Sequence, residues 1–159
     1  MTDRTNLFKS YMNAVGLNDM VENFINGKLI PGQGEKILLI DPFTGIKLAQ
    51  YSDAGSNLTE NACTASNSAQ KVWMNEFSAA GRGQVMQRAS LEISNNLENL
   101  AKLESIVSGK PIRDCRVEVS KVAEMFSYYG GWTDKMHGEV IPVPSGHLNY
   151  TIREPIGVI

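Results

Sequence analysis

The sequence has little of what marks several large classes of protein. Its 159 residues include two cysteines and two histidines, which make no disulfide framework and leave no third ligand suitably spaced for zinc. No apolar run approaches the roughly 20 residues of a membrane span. The net charge is −2 with both signs mixed, so no basic field favours nucleic acid. Neither a membrane nor a nucleic acid is expected as a partner.

The first twenty residues contain Asp3 and Asp19 and have no apolar segment of the kind found in signal peptides. Cysteines that form no framework are typical of a reducing compartment. We therefore expect a cytoplasmic protein.

The first fifty residues predict a short helix and a small antiparallel β unit. The helix is expected over residues 6–15. The dipeptide Asn26-Gly27 divides the apolar residues 23–30 into a hairpin. Two further strands, each bounded by turn-forming Gly and Pro, are expected over residues 36–41 and 46–51.

Three to four long helices follow, because the apolar period lengthens from two residues to three and four. Asn57 is the expected N-cap of the first, with Glu60 completing a capping-box pattern. This helix should end near Glu76. Its predicted buried face is formed by Leu58, Ala62, Ala65, Ala69 and Val72.

Local signals divide the rest of the helical region. Ser78 is the expected cap of the next helix, the pair Asn95-Asn96 marks a break, and Gly109 should end the following stripe. A last helix is predicted over residues 113–136, and its Gly130-Gly131 should let another backbone approach closely. Its predicted apolar stripe is Cys115, Val119, Val122, Phe126, Tyr129, Thr133 and Met136.

The last residues are extended and alternate in polarity. In residues 147–154 one face carries Leu148, Tyr150 and Ile152, and the other carries Asn149, Thr151 and Arg153. A strand with such an apolar face is a liability if its edge stays open, so another chain or another part of this one should cover it. Residues 156–159 resemble the start of a strand buried on both faces.

No catalytic or cofactor-binding residue is predicted. Cys63 and Cys115 are each expected to be small buried hydrophobic residues. His137 and Lys110 are expected to complement helix C-termini. Four glutamates spread along the helices are expected on solvated faces: Glu98, Glu104, Glu118 and Glu124. Four clustered aromatic residues are expected in the core: Phe126, Tyr128, Tyr129 and Trp132.

Five segments occur in a specific order and spacing: "FINGKLI", "DPFTGIKLAQY", "SGKP", "YYGGW" followed by "HGEVIPV", and "LNYTIREPIGV". Together they resemble the N-terminal third of the aldehyde dehydrogenase superfamily, especially the betaine-aldehyde enzymes. The resemblance covers about residues 23–159.

The resemblance implies an α/β fold with the following organisation. Residues 1–22 would be an extension, and residues 23–136 would be the N-terminal part of the cofactor-binding domain. Residues 137–155 would form a β-hairpin oligomerisation arm that joins a dimer or tetramer through Leu148 to Arg153. Residues 156–159 would begin the first strand of the Rossmann-type sheet.

The implied reaction oxidises an aldehyde to a carboxylic acid with NAD or NADP. A cysteine thiolate attacks the carbonyl, hydride passes to the cofactor, and activated water cleaves the thioester. The family's catalytic and phosphate-binding residues would all lie beyond Ile159, so this chain alone is predicted to be inactive. The aldehyde, the choice of NAD or NADP, and the size of the oligomer stay open.

The resemblance also implies a monovalent cation site for K+ or Na+. Its backbone oxygens would come from Ile40 and Asp41, and its carboxylate position maps to Val107, which has no side-chain oxygen. A second reading of the whole chain is a non-catalytic interaction module from a truncated or split gene.

Overall fold

The computed structural model describes residues 3–17 and 21–159. They form five helices and three separate two-stranded antiparallel sheets. The predicted α/β class is confirmed, with the N-terminal β unit and, of the three to four long helices expected, four. The elements in chain order are α1 Arg4–Ala14, β1 Asn23–Ile25, β2 Lys28–Ile30, β3 Lys36–Ile40, β4 Lys47–Ser52, α2 Gly55–Asn75, α3 Ala79–Asn95, α4 Leu97–Ser108, α5 Ile112–Gly130, β5 Val140–Ile141 and β6 Asn149–Tyr150.

The N-terminal elements agree with the sequence. Asp3 caps α1, its carboxylate accepting from the Thr5 amide at 3.0 Å. The hairpin β1–β2 turns through Asn26 and Gly27, both at positive φ (50° and 76°), as a type I′ turn requires. Strands β3 and β4 pair with an irregularity between Leu39 and Ile40.

Helix α2 differs from the prediction. It begins at Gly55 without a side-chain cap, so Asn57 is not the N-cap. The amide of Gly34 donates to the Asp53 carbonyl at 2.8 Å, and this pairing holds the chain just before the helix starts. Of the predicted buried face, Leu58 is buried and Ala62 and Ala65 are half-buried, whereas Ala69 is exposed and Val72 is 42% exposed.

The start of α3, the break between α3 and α4, and the end of α4 lie at the residues that the sequence predicts. The hydroxyl of Ser78 accepts from the Gly81 amide at 3.1 Å and caps α3. Asn96 alone separates α3 from α4, and Gly109, at φ 75°, ends α4. All three predictions are confirmed.

Helix α5 ends at Gly130, six residues before the predicted Met136. The two glycines favour termination, and residues 131–135 form turns instead. Lys135 contacts the end of the helix, its Nζ donating to the Gly131 carbonyl at 2.8 Å. His137 is exposed and is not the residue that meets these carbonyls.

The buried face of α5 is narrower than the predicted stripe. It is formed by the small residues Cys115, Ala123 and Gly130, and Ala123 and Gly130 let α3 pack closely. The Ser90 hydroxyl of α3 donates to the Ala123 carbonyl at 2.7 Å. Val122, Phe126 and Tyr129 of the predicted stripe are exposed.

The main apolar cluster lies between α1, β4 and α4. Its buried members are Phe8, Met12, Leu48 and Ile106. Of the two cysteines predicted to be buried, Cys115 is buried, whereas Cys63 is exposed on α2. None of the helices in the described ranges has the length and hydropathy needed to cross a bilayer.

Candidate functional site

The predicted arm is a very short β-ladder. Strand β5 pairs with β6 through Val140–Tyr150 and Ile141–Asn149 alone. The Thr151 amide extends the pairing by donating to the Glu139 carbonyl at 2.9 Å. Gly138 lies so close to this strand that a Cβ there would be 1.8 Å from the Thr151 carbonyl oxygen. The hairpin therefore forms, but two paired residues per strand hold it weakly.

The apolar face of the arm is open. Leu148 is 75% exposed, Tyr150 is 55% exposed and Ile152 is 65% exposed. On the opposite face Asn149, Thr151 and Arg153 are also exposed. Among the described residues, no third strand pairs with β5 or β6.

Residues 156–159 do not form a strand in this structure. A strand needs a hydrogen-bonded neighbour, and no described residue provides one. Ile156 is 93% exposed and Ile159 is fully exposed. The place of this segment in a larger sheet stays a prediction.

A second apolar surface runs over the C-terminal half of α5. Tyr128, Tyr129 and Trp132 are each about half exposed, and Phe126 is 38% exposed. The rings of Tyr128 and Tyr129 meet edge to face at 5.2 Å between centroids. The prediction that these aromatics form core is therefore wrong within this chain.

An apolar cavity of about 650 Å³ opens between α1, the β3–β4 hairpin, α4 and α5. Its walls include Phe8, Leu39, Leu103, Val107 and Val119. Well-packed domains contain few voids larger than a water molecule. The cavity and the exposed apolar faces show that this chain leaves much of its apolar surface uncovered.

Asp41, a predicted cation-site residue, is completely buried. Its Oδ1 accepts from the Arg4 guanidinium and from the Phe43 amide, both at 3.1 Å. Its Oδ2 accepts from Arg4 Nε and from the Thr44 hydroxyl. Hydrogen bonding from Arg4 is the main reason that the pKa of Asp41 is lowered to about 2.

The segments that carry the two predicted halves of the cation site lie next to each other. A Cβ on Gly109 would be 2.8 Å from the Pro42 ring, so the end of α4 lies against the turn after Ile40 and Asp41. Val107 packs against the cluster of Phe8 and Met12 rather than offering an oxygen. The hydrogen bonds to the Asp41 carboxylate engage its side chain and not its backbone oxygen, so the K+ or Na+ site at the backbone oxygens of Ile40 and Asp41 stays a prediction.

Three of the glutamates predicted to be solvated, Glu98, Glu104 and Glu118, form ion pairs. Lys110 Nζ donates to Glu118 at 2.7 Å and to Glu104 at 3.1 Å, and these bonds raise the pKa of Lys110. The Arg116 guanidinium donates twice to Glu98 and lowers the pKa of that carboxyl. These surface pairs connect α4 with α5, and their contribution to stability is small because solvent screens exposed charges.

Cys115 does not have the surroundings of a catalytic nucleophile. Cys115 is fully buried, and burial raises the pKa of its thiol. A reactive cysteine needs the opposite shift and access to substrate. Across residues 3–17 and 21–159 no group of three or more His, Cys, Asp or Glu side chains could hold a metal ion.

Comparison with known proteins identifies the class. The model of the aldehyde dehydrogenase family matches residues 29–159, so this chain belongs to the aldehyde dehydrogenase family. The resemblance read from the sequence motifs is confirmed.

Individual relatives show how much of a family member is present. An aldehyde dehydrogenase-like protein of Schizosaccharomyces pombe is 34% identical over 154 residues, covering 94% of this chain and 29% of that protein. The betaine aldehyde dehydrogenase of Bacillus subtilis is 34% identical over 139 residues, covering 85% of this chain and 28% of the enzyme. The crystal structure of PnpE with nicotinamide adenine dinucleotide superimposes with a TM-score of 0.78 at 35% identity, over 85% of this chain and 28% of that one. This chain thus spans less than a third of the curated relatives it matches.

Proposed function

We propose that this chain is the N-terminal segment of an NAD(P)-dependent aldehyde dehydrogenase that oxidises an aldehyde to a carboxylic acid through a cysteine thioester. The residues that perform the chemistry would lie outside these 159 residues. The family match over residues 29–159 carries the proposal, together with the share of its relatives that the chain spans.

The uncovered apolar surface supports the same reading. The 650 Å³ cavity, the aromatic face of α5 and the exposed Ile156 would be covered by the rest of a larger enzyme. In this proposal residues 23–136 belong to the cofactor-binding domain, residues 137–155 to the arm, and residues 156–159 to the first strand of the dinucleotide-binding sheet. The relative PnpE was crystallised with nicotinamide adenine dinucleotide, which supports NAD as the cofactor. A cytoplasmic location is proposed from the composition.

The arm would join a homodimer or homotetramer by adding its free strand edge to a neighbouring subunit. Its contact residues would be Leu148 to Arg153. The open ladder edges and the exposed Leu148, Tyr150 and Ile152 support this role.

Activity of the chain itself is the first test. The purified 159-residue protein is incubated with NAD+ or NADP+ and a panel of aldehydes that includes betaine aldehyde, and absorbance of the reduced cofactor is followed. No reduced cofactor should form. Sustained turnover would contradict the proposal that the catalytic residues lie elsewhere.

A chimaera then tests the proposed place in an enzyme. This chain replaces the matching N-terminal segment of the Bacillus subtilis betaine aldehyde dehydrogenase. Reduction of NAD+ by the chimaera is expected if the segment supplies the same scaffold. A soluble, folded chimaera without activity would count against the assignment.

The open arm also favours a second candidate, a non-catalytic module that binds a full-length partner. Sedimentation velocity of the chimaera and of the chain alone separates the two, with Tyr150→Lys as the disrupting variant. A matched control is Leu91→Lys, which adds the same charge at an exposed apolar position of α3. If the chain is part of an enzyme, Tyr150→Lys should dissociate the chimaera into smaller species. If it is a non-catalytic module, the chain alone should bind a full-length native enzyme.

A further inference from the structure

Helix α1 is attached to the protein along one face. Arg4, Phe8 and Met12 recur every four residues and therefore lie on the same side of the helix. Phe8 and Met12 are buried in the main apolar cluster with Leu48 of β4 and Ile106 of α4. The other residues of the helix are half-buried or exposed. Three side chains on this face thus anchor α1.

The first anchor is an ion pair with a buried partner. Asp41 is the one charged side chain in residues 3–17 and 21–159 that is buried. The Arg4 guanidinium donates to both of its carboxylate oxygens, the two-pronged geometry that arginine provides. The other donors, the Phe43 amide and the Thr44 hydroxyl, come from the turn directly after Asp41. A buried carboxylate without a positive partner is costly, so this ion pair favours the docked position of α1.

Helix α1 depends on its docking in order to be a helix. It has 11 residues, and isolated helices shorter than about 12–15 residues are marginal in water. Near its start the Thr5 hydroxyl donates to the Lys47 carbonyl of β4 at 3.1 Å. At its end the Asn99 amide of α4 reaches the Ala14 carbonyl at 3.5 Å. Undocking and unfolding of α1 should therefore occur together.

The other helices have contacts of their own that do not involve α1. The Ser90 hydroxyl of α3 donates to the Ala123 carbonyl of α5 at 2.7 Å. Lys110 donates to Glu118 of α5 at 2.7 Å and so fastens the end of α4. The family match begins at residue 29, after α1. Helices α3, α4 and α5 can therefore stay packed when α1 leaves.

Helix α1 also forms one wall of the 650 Å³ cavity. Phe8 and Met12 line the cavity from α1, and Leu103 and Val107 line it from α4. Undocking of α1 would expose this apolar lining to water, which is unfavourable. The hydrophobic contacts and the ion pair therefore both favour the closed position.

We propose that α1 is a strap that opens and closes as a unit beside the apolar cavity while the rest of the chain stays folded, and that the ion pair of Arg4 with Asp41 is its latch. This inference goes beyond the proposed enzyme function and does not depend on it. It is tested without an activity assay.

Hydrogen exchange of the natural 159-residue chain is followed by mass spectrometry at increasing urea concentrations below the unfolding transition. The amides of α1 should exchange faster than those of α4 and α5. Their exchange should also depend less on urea, because opening of the strap exposes less surface than unfolding of the whole chain. The same exchange free energy and urea dependence in all three helices would overturn the proposal, since α1 would then open only with the rest of the fold.

The variant Arg4→Met removes the latch and keeps an apolar stem. Exchange in α1 should become about tenfold faster or more, because the closed strap loses hydrogen bonds to a charged group. Unchanged exchange in α1, or failure of the variant to fold, would contradict the proposal. Arg113→Met is the control: it removes a positive charge whose side chain is 84% exposed, and exchange in α1 should stay as in the natural protein. An equal gain in both variants would show that the loss of charge, rather than of the latch, is the cause.

Discussion

Gly83 of α3 lies directly against Gly130 of α5. A Cβ placed on Gly83 would be 2.6 Å from the Gly130 carbonyl oxygen and 2.8 Å from the Thr133 hydroxyl. Real side chains essentially never approach a backbone atom that closely, so only glycine fits at position 83 without movement. The contact fixes where the two helices cross.

The substitution Gly83→Ala should therefore destabilise the protein even though alanine is the better helix former. Overpacking of this kind costs about 1–3 kcal/mol, more than the roughly 1 kcal/mol that alanine adds to helix propensity. The free energy of unfolding in urea measures the difference.

Gly81→Ala is the matched control in the same helical turn. Its Cβ would meet the Ser78 hydroxyl at 3.2 Å and the Phe77 ring at 4.0 Å, both side-chain atoms that can adjust. We expect it to leave stability unchanged or slightly raised. Equal losses in the two variants would show that the crossing at Gly83 is not the cause.

Sequence reasoning succeeded where a local signal decides the structure. Asn26-Gly27 specified a hairpin turn, Gly109 a helix end, and Gly130 a close backbone approach, because each requires a conformation or a space that few other residues allow. The family motifs went further, since an ordered set of short segments is specific to a fold and to a class of enzyme.

Burial and long-range contacts are not predictable in this way, because they depend on which distant parts of the chain pack together. A helical stripe predicts which residues could be buried, but burial requires an element to pack there, and the second half of the α2 stripe, at Ala69 and Val72, is exposed. The contact between Arg4 and Asp41 spans 37 positions, and no spacing rule pairs such residues. Their spacing predicts Phe126 and Tyr129 in the core, yet both are exposed in this chain.

The caps of α2 and α3 offer a paired test of this difference. Ser78→Ala removes a hydroxyl that accepts from the Gly81 amide and should destabilise the protein by about 1 kcal/mol. Asn57→Ala should cost little, because Asn57 is inside α2 and caps nothing. Urea unfolding of both variants is the measurement, and a larger loss for Asn57→Ala would contradict the observed helix start.

The two thiols should differ sharply in accessibility. Cys63 is exposed on α2, whereas Cys115 is fully buried and the pKa of its thiol is raised. Iodoacetamide at pH 8 should alkylate Cys63 in the native protein and Cys115 only after unfolding in urea. Peptide mass spectrometry of samples taken over time measures how fast each cysteine is alkylated. Equally rapid modification of both in native buffer would contradict the packing of α5.

The acid stability of the protein should depend on Asp41. Hydrogen bonds from Arg4, opposed by burial, lower its pKa from 3.8 to about 2, so the folded state binds this proton less readily than the unfolded state. The stabilisation is present above pH 4 and is lost as the pH falls towards 2. A shift of this size corresponds to roughly 2 kcal/mol.

The free energy of unfolding is measured in urea between pH 2 and pH 6 for the natural protein and for Asp41→Asn. Asp134→Asn is the control, because the ion pair of Asp134 with Lys135 is half exposed. Asp41→Asn should be less stable at pH 6 and should lose less on acidification. The control should follow the natural protein, and parallel curves for all three would show that Asp41 does not set the acid limit.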